Sequence, residues 1–439
     1  MLFRQFVDDD LGCGSYLVGD ERAGVAAIVD PAYAIEPYLD ACAVAGVRPV
    51  VVLETHTHAD HVSGHGRLAL EHGLPVRVHE AAGASFPHEP LRDGDEIALG
   101  DVVLRVVHTP GHRPEHCAIE VVEDGTAKAV LTGDSLFVGD AARPDLAVDA
   151  EEGAEDLFVS LHRLVGLGDA VTVYPGHVAG SLCGANLSPE HSTTIGRERE
   201  QNAALVATHE EFLCRETGPQ PPRPPNMESI VELNCGPFLG AQPALEHVDD
   251  AAGAVLLDVR DADAFAAGHR PGAVNVPVDG SSFATRSAFV LPSRPILLEA
   301  ESAEQARRAA ERLRAVALFD VAGWREPGDG ERTEPVTMDE LERSLAAGEI
   351  CLFDVRETSE RDQGFIPGST HLPYRNVRAA AENGLCDELP IVTICETGAR
   401  AAIAASVLRS VGVDARPVLG GGVATWRGDT YSFRRCGGN

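Results

Sequence analysis

A histidine-rich segment that directly follows a short apolar run limits the folds open to this chain. The run Val50–Leu53 predicts a buried strand, and soon after it comes His56-Thr57-His58-Ala59-Asp60-His61. Three later segments place the same residue types after predicted strands, on turns shaped by glycine or proline: Thr109-Pro110-Gly111-His112, Thr132-Gly133-Asp134 and Tyr174-Pro175-Gly176-His177. Imidazole and carboxylate groups are the usual ligands of Zn, Fe and Mn. The pattern therefore predicts a metal site at the strand ends of an α/β sandwich.

Four other histidines each stand alone, without a further candidate ligand in a motif. We expect them to be ordinary surface or core residues: His72, His79, His88 and His162.

The second half of the chain contains an internal repeat. Asp258-Val259-Arg260 recurs as Asp354-Val355-Arg356, and the segment 268–273 recurs as 364–369 at the same offset of 96 residues. Both copies show a strand, an acidic turn, a helix and a Pro-Gly turn in the same order. The repeat predicts two similar α/β domains.

A proline-dominated segment, 218–226, separates the histidine-rich part of the chain from the repeat. Such a segment cannot continue a helix or a central strand, and it is typical of a domain edge. We therefore predict three domains, over 1–240, 241–332 and 333–439.

A cysteine lies between a predicted strand and a predicted helix in the second repeat. The strand Ile391–Ile394 precedes Cys395-Glu396-Thr397-Gly398-Ala399-Arg400, and a helical run follows over 401–411. Unpaired backbone N–H groups and the helix dipole stabilise a thiolate at this position, and Arg400 adds a positive charge. Gly398 lets the loop wrap closely around the sulfur. The loop therefore suits a persulfide or an incoming sulfur anion.

The histidine-rich half resembles the metallo-β-lactamase superfamily over about residues 1–235. The resemblance implies an αββα fold with the metal at one edge of the sandwich. In the hydrolase branch, which includes glyoxalase II, two Zn(II) ions would be held. The ligands of that centre would be His56, His58 and His112 for one ion, Asp60, His61 and His177 for the other, and Asp134 as the bridge.

In the persulfide dioxygenase branch, His56, His112 and Asp134 would hold a single Fe(II) per chain. His58, Asp60, His61 and His177 would then orient these ligands. Two neighbouring segments, 132–146 and 176–184, look like the persulfide dioxygenases that occur fused to rhodanese domains, although Ala142 stands where we expect a glycine. No basic cluster typical of the glutathione site in glyoxalase II is present, so the thiol carrier stays open between glutathione and another small thiol.

The cysteine loop, with its Asp-Val-Arg and Pro-Gly turns, resembles a rhodanese over residues 336–430. Four residues separate Cys395 from Arg400, one fewer than in related phosphatase-like loops, and this favours sulfane sulfur over phosphate. The first repeat has no cysteine between Cys235 and Cys351. Its loop aligns near 298–304, where we expect acidic side chains in place of the thiol. We interpret this copy as an inactive scaffold, with structural or docking roles for Arg260 and His269.

The composition argues against several classes of binding partner. A formal charge of −32 argues against nucleic acids and anionic membranes, which repel acidic surfaces. No apolar run reaches the ~18 residues of a membrane span, and no secretory signal is evident, so we expect a cytoplasmic protein. The ten cysteines form no CxxC pair, which argues against a zinc knuckle or a disulfide scaffold. We also expect a homo-oligomer.

These observations favour a bifunctional enzyme that oxidises thiol persulfides with O₂ to sulfite and transfers sulfane sulfur through Cys395, with thiosulfate as a further product or donor. Two alternatives stay open. One is a dinuclear zinc thioester hydrolase with an accessory rhodanese. The other is a sulfur carrier or sensor whose metal domain is structural.

Overall fold

The computed structural model describes residues 1–179, 181–184, 187–385 and 389–431, and these form two compact units. The first unit comprises Met1–Pro243 with Arg314–Ala317, and the second comprises Ala244–Leu313 with the chain from Leu318 onward. Of the ten cysteines, Cys386 and Cys436 lie outside the described residues, as does Gly180. The described cysteines are all free thiols.

The first unit consists of two six-stranded sheets with helices on their outer faces. Its strands are β1 (Leu2–Val7), β2 (Gly14–Asp20), β3 (Val25–Val29), β4 (Arg48–Leu53), β5 (Val76–His79), β6 (Glu89–Leu91), β7 (Glu96–Leu99), β8 (Val102–His108), β9 (Cys117–Glu123), β10 (Thr126–Gly133), β11 (Thr172–Pro175) and β12 (Thr193–Thr194). Its α-helices are α1 (Glu36–Ala45), α2 (His65–His72), α3 (Ala150–Val165), α4 (Ile195–Gln201), α5 (Ala203–Val206), α6 (His209–Glu216) and α7 (Met227–Cys235). A 3₁₀ turn spans Glu80–Ala82.

The strand order is β1-β2-β3-β4-β5-β6 in one sheet and β12-β11-β10-β9-β8-β7 in the other. Apolar side chains from both sheets, such as Leu53, Leu104 and Leu131, form the central core. The outer faces are covered by helices, with α1 and α2 on the first sheet and α3 on the second. The predicted αββα sandwich is therefore confirmed.

The second unit contains two four-stranded parallel sheets, one from each repeat. The strand orders are β14-β13-β15-β16 and β18-β17-β19-β20. The strands are β13 (Val255–Asp258), β14 (Val274–Asn275), β15 (Ile296–Glu299), β16 (Val321–Arg325), β17 (Cys351–Asp354), β18 (Thr370–His371), β19 (Ile391–Ile394) and β20 (Ala415–Pro417). The helices are α8 (Ala262–Ala267), α9 (Phe283–Val290), α10 (Ala303–Ala315), α11 (Met338–Ala347), α12 (Thr358–Gln363), α13 (Val377–Glu382) and α14 (Ala399–Ser410), with 3₁₀ turns at Tyr374–Asn376 and Val423–Thr425. The prediction of two α/β domains of the same order is confirmed.

Helix α14 is buried on every side over Ala401–Leu408, which is unusual for a helix beside a sheet. The first repeat provides the additional cover, because α14 packs against β14. The backbone N–H of Asn275 donates a hydrogen bond to Ser406 Oγ at 3.0 Å. The helix that follows the cysteine loop is thus embedded between both repeats.

Among the described residues, none of the helices has the length and apolarity that a bilayer crossing requires.

Candidate metal centre and sulfur-transfer loop

Three side chains from three strand ends converge at one edge of the sandwich. His56 follows β4, His112 follows β8, and Asp134 follows β10 directly. Asp134 Oδ2 lies 3.9 Å from His56 Nε2 and 3.6 Å from His112 Nε2, and all three residues are buried. One potential ligand atom from each lies within 4.8 Å of the others. The arrangement presents two imidazoles and one carboxylate to a common point.

Hydrogen bonds fix which nitrogen of each imidazole faces that point. His112 Nδ1 lies 2.9 Å from the backbone carbonyl of Arg143, which can only accept, so Nδ1 carries the proton and Nε2 keeps its lone pair. His56 Nδ1 lies 2.9 Å from Thr55 Oγ1, which in turn donates to Asp30. His56 Nε2 and Asp134 Oδ2 are buried without a hydrogen-bond partner. Buried polar atoms of this kind are costly unless they bind a ligand, so these residues fit a metal ion.

The electrostatics agree with a ligand set. Burial lowers the pKa of His56 and His112, which keeps both imidazoles neutral. Burial alone would raise the pKa of Asp134, but the charge and hydrogen bond of His177 lower it to about 2. Neutral imidazoles and an ionised carboxylate are the forms that bind a divalent metal.

A second group of candidate ligands lies beside the first. His177 Nδ1 lies 2.7 Å from Asp134 Oδ1, and His177 Nε2 lies 2.8 Å from Asp60 Oδ2. His61 Nδ1 lies 3.2 Å from Asp60 Oδ1, and Cys13 Sγ lies 3.4 Å from both Asp60 and His61. Asp60, His61, His177 and Cys13 therefore form one buried group of potential ligand atoms.

His58 belongs to a different group from the other motif histidines. Its Nε2 lies 3.1 Å from Glu54 Oε2 and 3.4 Å from Asp30 Oδ1. Its Nδ1 is buried without a partner. The structure thus separates the seven predicted residues into the group of His56, His112 and Asp134, the group of Asp60, His61 and His177, and His58 with two carboxylates.

Several residues that surround the candidate metal centre were not predicted from the sequence. Asn234 on α7 donates hydrogen bonds to the carbonyls of His58 and His61 and accepts one from the N–H of Ser63, so it holds the histidine-rich loop. Glu54 pairs with His65 at 3.0 Å as well as with His58. Glu54 directly follows the apolar strand that leads into the histidine-rich loop, and a charged residue at this point in the sequence could have indicated a role in the site.

His116 is a further buried imidazole near the centre. Its ring centroid lies 5.2 Å from that of His56, and its Nδ1 lies 3.0 Å from the carbonyl of Thr109. Its Nε2 has no hydrogen-bond partner. An added Cβ on Gly133 would come within 2.7 Å of that nitrogen, so Gly133 and His116 pack closely beside Asp134.

The four histidines expected to be ordinary residues lie apart from these groups. Among the described residues, none of them joins a group of close ligand atoms. His72 is exposed at the end of α2, and His79 is buried and stacks on His108 with ring centroids 4.3 Å apart. His88 and His162 bond to nearby backbone carbonyls.

In the second repeat, Cys395 lies at the end of β19 and is 1% exposed. The backbone N–H of Gly398 donates to Cys395 Sγ at 3.1 Å, and α14 begins one residue later. Gly398 has a φ of 103°, a conformation that favours glycine. Glu396 is half-buried, while Thr397 and Ala399 are exposed. The loop therefore directs an N–H group and a helix N-terminus toward the sulfur.

The positive charge that Arg400 adds near the loop is paired with a carboxylate. Arg400 makes a double ion pair with Glu360, at 2.5 and 2.6 Å. Arg356 is likewise paired, with Asp354 and with Glu396.

The expectation that acidic side chains replace the thiol in the first repeat needs correction. Glu299 pairs with Asp258 in the sheet register, as Ile394 pairs with Asp354, so Ala300 occupies the position of Cys395. Glu299 is fully buried and is paired with Arg270 and Arg325. The loop of this copy carries no nucleophile at the thiol position.

An αββα sandwich with clustered histidines and aspartates at one edge, followed by α/β domains with a cysteine loop, defines a multidomain α/β protein with a candidate metal site. Comparison with known protein families supports this description. The model of the metallo-β-lactamase superfamily matches residues 8–177, and that of the rhodanese-like domain matches residues 241–326 and 337–429. The chain belongs to the metallo-β-lactamase superfamily and carries two rhodanese-like domains.

Relatives of two kinds are among those that match the N-terminal part. The human mitochondrial persulfide dioxygenase ETHE1 is 30% identical over 243 residues, which cover 54% of this chain and 89% of the relative. A hydroxyacylglutathione hydrolase of Alkalilimnicola ehrlichii is 35% identical over 196 residues, which cover 43% of this chain and 72% of the relative. A crystal structure of a metallo-β-lactamase from Staphylococcus aureus has a TM-score of 0.68 and 27% identity, over 75% of this chain and 99% of that one.

Proposed function

We propose that this protein is a persulfide dioxygenase joined to a sulfurtransferase. The observation that carries the proposal is the buried group of His56, His112 and Asp134, because two imidazoles and one carboxylate on one face suit a mononuclear Fe(II). The similarity to ETHE1 supports the same reaction class. A cysteine loop of rhodanese type in the same chain supports sulfur compounds as substrates.

In the proposed reaction, R–S–SH, O₂ and H₂O give R–SH, sulfite and two protons. The outer sulfur is oxidised by four electrons, and O₂ is reduced by four. His56, His112 and Asp134 would hold the Fe(II), which would supply the redox chemistry that activates O₂ toward the substrate sulfur.

The residues of the chain hold the ligands in one arrangement. The Arg143 carbonyl and Thr55 fix the rings of His112 and His56, and His177 fixes the Asp134 carboxylate. Such supporting hydrogen bonds set ligand orientation and basicity. These side chains are buried, so their hydrogen bonds and charges act in a medium of low polarity.

In the second step, the Cys395 thiolate attacks the outer sulfur of a persulfide. A new S–S bond forms to Cys395, the original S–S bond breaks, and the carrier leaves as a thiolate. The Gly398 N–H and the N-terminus of α14 stabilise the anion of Cys395 before attack and of the persulfide afterwards. Sulfite can then accept this sulfur and leave as thiosulfate.

A dinuclear zinc hydrolase is the second candidate function. The buried group of Asp60, His61 and His177 favours it, because these residues could hold another ion beside the first. The similarity to a hydroxyacylglutathione hydrolase points the same way. Zinc held by these residues would supply the activation of water that thioester hydrolysis needs.

An oxygen-electrode assay on iron-loaded protein tests the proposal, with glutathione persulfide and other thiol persulfides as substrates. We expect persulfide-dependent O₂ uptake and one iron per chain. Asp134→Asn should reduce uptake by at least about 100-fold, because loss of a ligand exceeds the usual effect of its supporting groups. The matched control is Asp156→Asn, which makes the same change at an exposed position on α3.

Two zinc ions per chain, thioesterase activity and no persulfide-dependent O₂ uptake would establish the hydrolase instead. If His112→Ala left every activity intact, the metal domain would be structural. Cys395→Ser should abolish sulfur transfer and leave O₂ uptake unchanged. Sulfur transfer that survives this substitution would exclude Cys395 as the carrier.

A further inference from the structure

Two arginines beside the Cys395 loop, Arg356 and Arg400, are paired with carboxylates. Arg356 is only 4% exposed, and two of its nitrogens contact Asp354 while Nη1 lies 3.1 Å from Glu396 Oε2. Arg400 is held by Glu360 in a double ion pair. An anion that approaches the loop therefore meets no uncompensated guanidinium from Arg356 or Arg400.

Glu396 is the most exposed carboxylate of these pairs. It directly follows Cys395 in the chain, and its side chain is 41% exposed, whereas that of its partner Arg356 is 4% exposed. The negative member of the pair faces solvent and the positive member is covered. Because exposed charges dominate the local potential that an incoming ion meets, Glu396 contributes a negative potential at the entrance to the loop.

An open cleft of about 410 Å³ lies beside this entrance. Its polar lining comprises Arg356, Glu360, Gln363, Glu396 and Thr430. A volume in this range holds a small organic molecule, and the paired carboxylates can accept hydrogen bonds from ammonium or amide groups.

We infer that Glu396 is a specificity-determining residue, which makes Cys395 prefer organic persulfides over the dianion thiosulfate as sulfur donors. In thiosulfate the sulfonate is bonded to the transferred sulfur, so its charge must come close to Glu396. In an organic persulfide the carrier can extend into the cleft and keep its charges away from the reacting sulfur. The inference rests on the proposed role of Cys395 in sulfur transfer.

Both donors give balanced transfers to the same thiolate. With R–S–SH, Cys395 gains the outer sulfur and R–S⁻ leaves. With thiosulfate, Cys395 gains the outer sulfur and sulfite leaves. The two reactions differ in the leaving group and in the charge beside the transferred atom, and this difference is what Glu396 discriminates.

The test measures sulfur loading of Cys395 in the full-length protein under anaerobic conditions, by mass spectrometry of the Cys395 peptide. The donors are thiosulfate and the persulfides of 2-mercaptoethanol (uncharged) and cysteamine (cationic). For Glu396→Gln we expect the rate constant with thiosulfate to rise about tenfold, from the loss of one like charge at short range. With the uncharged persulfide the change should stay below about twofold, and with the cationic persulfide the rate should fall.

Two controls make the outcome specific. Glu342→Gln makes the same change at an exposed position on α11 and should alter none of the rates. Added salt should accelerate thiosulfate loading in the unsubstituted protein, because it screens repulsion, and should do so less in Glu396→Gln.

An unchanged or slower thiosulfate rate in Glu396→Gln, with organic persulfides still loading Cys395, would overturn this inference alone. If no donor loads Cys395 in the unsubstituted protein, the proposed sulfur-transfer function fails instead.

Discussion

His177 Nδ1 lies 2.7 Å from Asp134 Oδ1, so the last histidine of the metal motif contacts the carboxylate that faces His56 and His112. Its other nitrogen lies 2.8 Å from Asp60. In a mononuclear centre His177 orients Asp134, whereas in a dinuclear centre it binds the second ion. The substitutions His177→Gln and His177→Asn distinguish the orienting role from the ligand role.

We expect His177→Gln to weaken metal binding about 10–100-fold and His177→Asn to weaken it less. The asparagine amide can take the place of Nδ1 and keep the contact with Asp134, while the glutamine amide replaces Nε2. Metal competition titrations measure both affinities. If the unsubstituted protein binds two ions and both variants bind only one, His177 is a ligand of the second ion.

Position 133 requires glycine, both because of its backbone conformation and because two side chains approach it closely. Its φ is 47°, and an added Cβ would lie 2.7 Å from both His116 Nε2 and Thr55 Oγ1. Gly133→Ala should destabilise the strand end by about 2–4 kcal/mol, from backbone strain plus overpacking. Hydrogen exchange of the β10 amides measures this loss.

Gly125 provides the matched control, because it also has a positive φ, 69°, but an added Cβ meets nothing within 4 Å. Gly125→Ala should cost about 1–2 kcal/mol, from strain alone. Equal losses of stability in Gly133→Ala and Gly125→Ala would show that His116 and Thr55 can move away from the added methyl group at no cost in free energy.

Local patterns account for what the sequence predicted. An α/β sandwich and the convergence of His56, His112 and Asp134 at its edge follow from residues that stand just after apolar strands. The paired α/β domains follow from the internal repeat, and the αββα arrangement follows from the resemblance to the metallo-β-lactamase superfamily. The sequence could not reveal Asn234, because it reaches the histidine-rich loop from 176 positions beyond His58. Contacts at such separation leave no periodic signal in one sequence.

The thiol position of the first repeat was missed for a different reason. The two repeats keep an offset of 96 residues at Asp258 and Asp354, but the offset falls to 95 at Ala300 and Cys395. A one-residue change moves the predicted loop onto acidic neighbours. The pairing of Arg400 with Glu360 depends on how α12 packs against the loop, and sequence spacing does not give that packing.

The first repeat supports the helix behind the cysteine loop. The N–H of Asn275 donates to Ser406 Oγ on α14, and both residues are buried. Ser406→Ala leaves that N–H unpaired and should destabilise the second unit by about 1–3 kcal/mol. Both tryptophans of the chain, Trp324 and Trp426, lie in this unit, so denaturant unfolding followed by tryptophan fluorescence reports on it selectively.

Ser410→Ala is the matched control on the same helix. Ser410 Oγ donates only to the carbonyl of Val407 in its own helix, so its loss should cost less than about 0.5 kcal/mol. If Ser406→Ala lowered the free energy of unfolding by no more than Ser410→Ala does, the hydrogen bond between the repeats would not stabilise α14.

Glu216 should make the stability of the first domain depend on pH. Burial raises the pKa of its carboxyl group from 4.5 to about 7, although Arg215 lies 3.2 Å away. The folded state therefore binds more protons than the unfolded state between these values, and stability falls as the pH rises from about 4.5 through 7. Glu216→Gln should have little effect at pH 5 and should stabilise the domain by up to about 3 kcal/mol at pH 8. Calorimetry at both pH values measures the difference, with the exposed Glu200→Gln as control. Equal effects of Glu216→Gln at pH 5 and pH 8 would show that this carboxyl group does not titrate between them.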